Sequence, residues 1–305
     1  MDGPTTARKT RKATRRGADA AEAARAVDAA RASPLFVASL EKGMRVLRAF
    51  DEEHSAMRLA DIAAVAGLDR SAAQRFVHSL KTLGFIRQDA RTRLYSLSPR
   101  VLELAYGYLR SDPLVRAAMP FLHELGRRSE ESVNLSEMAG PEIIFIARVP
   151  GRHSLTVDIL LGSRYPAFST APGRAMLAFM PRAQAEELLA QSELVSFTGQ
   201  TITDRGRLLE LLDETREQGW CLAHEEIYLG ELSLAAPVLD RQGEATAAIN
   251  ISVPAARWDI KRAVRDLVPA LSSAAGALSR TVSGDARGGA AAIAPVAGRG
   301  GRRQR

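Results

Sequence analysis

Apolar side chains recur at the spacing of an amphipathic helix in three successive stretches between residues 39 and 84. The three sets are Leu40, Met44, Leu47 and Phe50; Ile62, Ala63 and Ala66; and Phe76, Val77 and Leu80. Gly67 ends the second stretch, Asp69 offers an N-cap side chain to the third, and Gly84 ends the third. The pattern therefore predicts three short helices with a tight turn between the second and the third.

Two short β-type segments, 85–87 and 94–97, follow the third helix, and the polar stretch 89–93 between them has the composition of a hairpin tip. Three helices and a hairpin are the order of a winged helix-turn-helix, which we place at residues 35–98. The third helix has a polar face opposite its apolar stripe. Polar and basic side chains on such a face can hydrogen-bond to base edges and phosphates. The expected DNA contacts on this face and on the hairpin tip are Arg70, Ser71, Gln74, Arg75, His78, Arg91 and Arg93. A winged helix that binds another protein is the alternative.

The rest of the chain predicts a connecting helix and then a larger domain. Residues 99–112 have apolar side chains at helical spacing, and we expect this linker helix to help form a dimer. Within 113–283, predicted strands cover 132–138, 142–149, 155–161, 232–238 and 246–253, and predicted helices cover 172–179, 183–191, 204–218 and a segment from 258 onward. Short turns between successive strands favour an antiparallel sheet, so the predicted fold class is α+β.

Charge is distributed unevenly along the 305 residues, whose formal net charge is +7. Segments 1–34, 35–100 and 284–305 each carry +4, whereas 101–283 carries −5. Only the front of the chain is therefore suited to face a polyanion. Segments 1–34 and 284–305 contain few large apolar side chains, so we expect a disordered basic arm and a disordered basic tail.

Composition removes several classes of protein. A single cysteine allows no internal disulfide and no Cys-x-x-Cys metal or redox pair. The sequence has no apolar run long enough for a membrane helix and no secretion signal, so we expect a cytoplasmic protein with no membrane partner.

The strongest candidate for catalysis is a cysteine, a histidine and two glutamates: Cys221, His224, Glu225 and Glu226. We disfavour it, because a lone cysteine after a helix end is more often buried filler, and we expect no enzyme, no metal site and no cofactor.

Several short motifs occur together in a fixed order. They are Ser39-Leu40-Glu41-Lys42-Gly43, Gly67-Leu68-Asp69-Arg70-Ser71, Leu83-Gly84-Phe85, Tyr95-Ser96-Leu97-Ser98-Pro99-Arg100, Ser169-Thr170-Ala171-Pro172-Gly173-Arg174-Ala175, Thr201-Ile202-Thr203-Asp204 and Ala235-Ala236-Pro237-Val238. With these motifs the chain resembles the IclR (isocitrate-lyase-regulator) family of bacterial transcription factors over residues 36–282. The stretch 162–168 also resembles the branch that governs aromatic-acid catabolism.

The resemblance implies a homodimer or a dimer of dimers that binds an operator in double-stranded DNA and controls catabolic genes. It also implies that the domain at 113–283 binds a small organic or aromatic carboxylate as effector. Matched position by position, the family's ligand pocket falls at Ala171, Pro172, Gly173, Ala223, Ser233, Asn250 and Ser252. A helix that begins near Pro172 would aim free backbone N–H groups at an anion, and Thr170 adds a hydroxyl donor.

A departure from the family pattern leaves alternatives open. Many members carry an acid pair where this chain has Ala223-His224, so the effector chemistry can differ. Arg148, Arg152 and Arg164 are candidates for a carboxylate clamp, with ordinary surface arginines as the alternative. A DNA binder without an effector, whose second domain only dimerises, is the alternative function.

Overall fold

The structure, a computed structural model, describes residues 31–152 and 159–285. These residues form two compact units, and the boundary falls between Asp112 and Pro113. The predictions for the arm at 1–34 and the tail at 284–305 lie mostly outside the described residues.

The first unit has the predicted winged helix-turn-helix. Its elements are α1 (Ala38–Arg48), α2 (Leu59–Val65), α3 (Arg70–Thr82), β1 (Ile86–Gln88), β2 (Tyr95–Leu97) and α4 (Val101–Ser111). The turn before α3 needs Gly67, because its φ of 61° lies in the left-handed region. Asp69 then caps α3, since its Oδ1 accepts a hydrogen bond from the Ala72 amide at 2.8 Å. A small apolar core that includes Val46, Ile62, Val77 and Ile86 holds the helices and the hairpin together.

The second unit is an antiparallel sheet with helices on both faces. Its helices are α5 (Pro113–Ser129), α6 (Ala171–Ala178), α7 (Arg182–Gln191), α8 (Arg205–Gln218) and α9 (Ile260–Asp285). Its strands are β3 (Ser132–Ala139), β4 (Glu142–Val149), β5 (Arg164–Pro166), β6 (Cys221–His224), β7 (Glu231–Leu239) and β8 (Ala245–Pro254). The strands lie in the order β5-β4-β3-β8-β7-β6.

The two faces of this sheet differ in chemistry because successive side chains along a strand point to opposite sides. One face carries apolar residues under α5 and α9, among them Val133, Leu135, Leu232, Leu234, Ile249 and Ile251. The other face lies under α6 and carries Asn134, Ser233, Asn250 and Ser252, which are aligned by the pairing of β3, β8 and β7. A polar surface is therefore enclosed inside the second unit.

The strand predictions were wrong at the edges of this sheet. Residues 159–161 of the predicted strand 155–161 form no strand, and 153–158 lie outside the described residues. The sequence patterns also missed β5 and β6, which are edge strands of three and four residues. Segments this short contain too few alternations to show a β period.

Gly173 allows α6 to lie against the turn at Ala167–Ser169. A Cβ at this position would lie 2.3 Å from Ala167 O and 2.4 Å from Ala167 Cα, both backbone atoms. We therefore expect Gly173→Ala to lower the free energy of unfolding by about 1–3 kcal/mol or more, as measured by urea denaturation.

Gly276→Ala in α9 is the matched control. There the added Cβ would meet only Arg280 Nη1, at 3.6 Å. We therefore expect the free energy of unfolding to rise by up to about 1 kcal/mol, because alanine has the higher helix propensity. Equal stabilities for the two variants would contradict the close approach at Gly173.

Candidate functional site

The polar face of α3 is exposed and unoccupied by other parts of the first unit. Arg70, Ser71, Gln74, Arg75 and His78 are all solvent-exposed. Within the described residues the structure records no ion pair for Arg70 or Arg75, so neither arginine serves as a structural partner there. These side chains are free to meet base edges and phosphates.

The tip of the wing is held rigidly by Asp89. Its Oδ1 accepts hydrogen bonds from the Thr92 amide at 2.6 Å, from the Thr92 hydroxyl at 2.8 Å and from the Arg91 amide at 3.0 Å. The Thr92 bonds, that from the backbone most of all, hold the pKa of the Asp89 carboxyl below its usual value. Arg91 and Arg93 project from this fixed turn and are exposed, which suits them to reach a phosphate or a minor groove.

A cavity lies between the polar face of the sheet and the start of α6 in the second unit. It contains about 430 Å³ of space not filled by atoms, part of it open to solvent. The predicted pocket residues that line it are Thr170, Ala171, Pro172, Ala223, Ser233, Asn250 and Ser252. Gly173 does not line the cavity. Its role is the close approach to Ala167 described above.

The start of α6 offers fewer free amides than the sequence suggested. Thr170 Oγ1 caps the helix by accepting a hydrogen bond from the Gly173 amide at 3.2 Å. The Arg174 amide donates to Thr170 O at 3.0 Å, and Pro172 has no N–H. The structure records no hydrogen bond for the Ala171 amide among the described residues, which leaves this amide to meet an anion.

Asn250 organises the polar floor of the cavity. Its Nδ2 donates to Ser233 Oγ at 3.1 Å and to Ser252 Oγ at 3.2 Å. Its Oδ1 is buried and has no hydrogen-bond partner among the described residues. A buried amide oxygen without a donor is costly, so it marks a place where a ligand group or water is needed.

Aromatic side chains also line the cavity, and the sequence patterns did not place them there. Phe145 pairs with Ser136 and therefore lies on the same face of the sheet as the polar floor. The Phe145 and Tyr165 rings meet edge to face at 5.8 Å between centroids, and the Tyr165 and Tyr228 rings do so at 6.2 Å. The Tyr165 and Tyr228 hydroxyls are 2.9 Å apart. A planar ring fits against such side chains.

A buried ion pair fixes the loop that follows β6. Arg174 on α6 is paired with Glu226, and their side chains are only 1% and 4% exposed. Arg174 Nε also donates to Phe168 O at 2.7 Å, and the Ile202 amide donates to Glu226 Oε2 at 3.2 Å. The pair therefore joins one wall of the cavity to its rim.

The proposed arginine clamp is not formed, because Arg148, Arg152 and Arg164 do not line the cavity. Arg152 is paired with Glu130 at 2.8 Å, and Arg164 with Glu142 at 2.8 Å. Arg148 Nη1 donates to Asn134 Oδ1 at 3.2 Å on the same face of the sheet.

The catalytic alternative is not supported by the geometry. Cys221 is buried, and its burial raises the pKa of the thiol above its usual value, which disfavours the nucleophilic thiolate. Cys221 and His224 are three positions apart on β6, so they point to opposite faces of the strand. Among residues 31–152 and 159–285, no cluster of metal-ligating side chains occurs.

A winged helix-turn-helix unit followed by a separate α+β unit with a ligand-sized cavity defines a class of DNA-binding transcription regulators. The model of the IclR helix-turn-helix domain matches residues 39–90, and that of the bacterial transcriptional regulator IclR C-terminal domain matches residues 106–280. The chain belongs to the IclR family. No helix in the described part of the chain is long and apolar enough to span a membrane.

Individual relatives agree with this assignment. The Pca regulon regulatory protein of Pseudomonas putida is 33% identical over 255 residues, which cover 83% of this chain and 87% of that protein. The solved structure of a transcriptional regulator from Rhodococcus sp. RHA1 is 36% identical with a TM-score of 0.71, covering 82% of this chain and 99% of that one. An IclR homologue from Microbacterium hydrocarbonoxydans, complexed with 4-hydroxybenzoate, shares the fold at 24% identity and a TM-score of 0.65, covering 80% of this chain and 99% of that one.

Proposed function

We propose that this IclR-type regulator binds its operator through α3 and the wing and senses a small aromatic carboxylate in the cavity of the second unit. The observation that carries the proposal is a cavity whose lining combines the polar floor, three aromatic side chains in contact with one another and Ala171, whose amide is free among the described residues. A ring packs against the aromatic side chains, while the Ala171 amide donates to the carboxylate. The Thr170 hydroxyl, which donates to Pro166 O at 3.4 Å, turns to the carboxylate when the ligand binds. The proposed ligand contacts are Thr170, Ala171, Pro172, Ala223, Ser233, Asn250 and Ser252.

Two relatives support this choice of effector class. The Pseudomonas putida relative is named for the Pca regulon, and the Microbacterium homologue is complexed with an aromatic carboxylate. Asn250 Oδ1 has no partner among the described residues and belongs to a residue that lines the cavity, so a ligand donor can satisfy it. We therefore place the effector-free architectural binder second.

The effector proposal is tested by anisotropy of labelled DNA from upstream of the chain's own gene, titrated with the full chain. Benzoate, 4-hydroxybenzoate and pyruvate are added in turn. We expect at least one aromatic acid to change operator affinity by about 5–150-fold, the usual range of allosteric coupling. Specific DNA binding that no acid alters, together with no calorimetric binding of the acids, would favour the architectural alternative.

The DNA contacts are proposed to be Arg70, Ser71, Gln74, Arg75, His78, Arg91 and Arg93. Arg75→Ala should weaken operator binding by about 1–3 kcal/mol without loss of thermal stability, because this exposed side chain has no partner among the residues that the structure describes. Arg265→Ala on α9, which removes the same charge outside the first unit, is the control and should leave affinity unchanged. Wild-type affinity in Arg75→Ala would remove α3 from the interface.

We also propose that a second copy of the chain covers α4. This helix has no buried residue, and Leu102 is 65%, Leu104 61% and Tyr106 63% exposed. Apolar side chains in such number on one exposed helix indicate an interface. A dimer also matches the two-fold symmetric operators of helix-turn-helix proteins.

Tyr106→Glu, which places a charge on the exposed surface of α4, should lower the self-association constant at least tenfold in sedimentation velocity, because a charge at an interface core is desolvated without a partner. Glu103→Gln on the same helix is the control. Unchanged self-association in Tyr106→Glu would exclude α4 from the interface.

A further inference from the structure

The lining of the cavity carries acids and no bases. Glu225, Glu226 and Glu231 line it, whereas no lysine, arginine or histidine does so within the described residues. A lining of this kind is unexpected for a site that holds only a carboxylate, since like charges repel. The glutamates therefore need partners, either in the protein or in the ligand.

Two of the three glutamates have their partners in the protein. Glu226 is paired with Arg174. Glu225 Oε1 accepts a hydrogen bond from the Gly230 amide at 2.8 Å. These two carboxylates define the rim of the cavity and do not depend on a ligand.

Glu231 differs because it lines the cavity and has no ion pair within 4.0 Å among the described residues. It lies at the start of β7, two residues before Ser233, so both side chains point to the polar face of the sheet. Burial raises the pKa of the Glu231 carboxyl above its usual value, while a hydrogen bond from Ser252 and the positive charge of Arg148 act in the opposite direction. The carboxylate thus has room to accept a donor from the cavity.

Asn250 gives a second, independent sign that the floor needs a donor. Its side chain is buried, with the residue 1% exposed, and Oδ1 has no partner. Ser233 and Ser252, which accept from Asn250 Nδ2, have hydroxyl protons to donate elsewhere. Among the unpaired buried groups on this face of the sheet, Asn250 Oδ1 belongs to a residue that lines the cavity, whereas Asn134 Nδ2 and Ser136 Oγ belong to β3 residues that do not line it.

Glu231 and the Ala171 amide, which is a donor, lie at different ends of the cavity along the direction of β7. α6 packs over Ala235, which pairs across the sheet with Asn250. Glu231 is four residues before Ala235, which at the rise of a strand is about 13 Å. A ligand carboxylate at the Ala171 amide is thereby kept away from Glu231, and the far side of a ring can approach it.

We propose that Glu231 determines effector specificity by accepting a hydrogen bond from a hydroxyl group on the effector, so that the cavity selects hydroxylated aromatic acids over acids of the same shape without a hydroxyl. This inference rests on the proposed effector function. A buried carboxylate that loses its donor remains unpaired in an apolar surrounding, which is why a site built for a hydroxyl rejects an analogue that lacks it.

The test is calorimetric binding of matched ligands to the full chain. The probes are 4-hydroxybenzoate and 4-methylbenzoate, which have similar shapes and differ in the donor. We expect wild-type protein to bind 4-hydroxybenzoate at least tenfold more tightly. In Glu231→Met, which removes the acceptor, this ratio should fall to threefold or less. Glu231→Gln, which removes the charge but keeps an acceptor oxygen, should have a ratio between those of the wild type and Glu231→Met. Glu244→Gln, at an exposed turn of the same unit, should keep the wild-type ratio.

The outcomes separate this inference from the effector proposal. If wild-type protein binds both acids equally, or if both Glu231 variants keep the wild-type ratio, Glu231 does not set specificity while the effector site stands. If neither acid binds, the aromatic-carboxylate proposal and this inference both fail. Circular dichroism establishes folding, and Glu231→Leu, which also removes the acceptor, takes the place of Glu231→Met if that variant does not fold.

Discussion

The ion pair between Arg174 and Glu226 is the interaction on which the geometry of the cavity depends. It joins α6, which forms one wall, to the loop after β6, which forms the rim. Loss of either partner would leave a charge buried in an apolar cluster, at a cost of about 3–5 kcal/mol. The Phe168 carbonyl and the Ile202 amide would lose a partner with it. The pair therefore fixes the position of α6 relative to the loop after β6, and its net contribution to the free energy of unfolding is small.

The functional polar side chains are exposed in the first unit and enclosed in the second, and the difference follows from the kind of ligand that each unit binds. On α3 the polar side chains are exposed, because a DNA groove is large and supplies its own phosphates and base edges. In the second unit the polar groups are enclosed and mostly paired with one another, because a small ligand gains affinity by being surrounded. Asn134 Nδ2, Ser136 Oγ and Asn250 Oδ1 are unpaired among the described residues, and of these three residues Asn250 lines the cavity.

The sequence predicted best where local chemistry determines an element. The start and end of α8 were predicted because Asp204 caps the helix by accepting from the Arg207 amide at 2.7 Å, and Gly219 ends it at a φ of 79°. The family resemblance predicted the residues of the cavity floor, Ser233, Asn250 and Ser252, and the structure places all three in the cavity lining. The sequence did not predict that the aromatic side chains and Glu231 line the cavity. Tyr165 and Tyr228 are 63 positions apart, and no spacing or period connects residues that meet only through the folding of the sheet.

The energies of these interactions limit how an effector can act on the protein. An effector changes operator affinity only as far as it binds one conformation better than another, typically by about 1–3 kcal/mol. Breaking the Arg174–Glu226 pair costs more than that range provides. The pair must therefore stay intact in both conformations, so α6 and the rim residue Glu226 move together or not at all. The energy that distinguishes the conformations has to come from groups that an empty cavity leaves unpaired, and Asn250 Oδ1 is such a group on the floor.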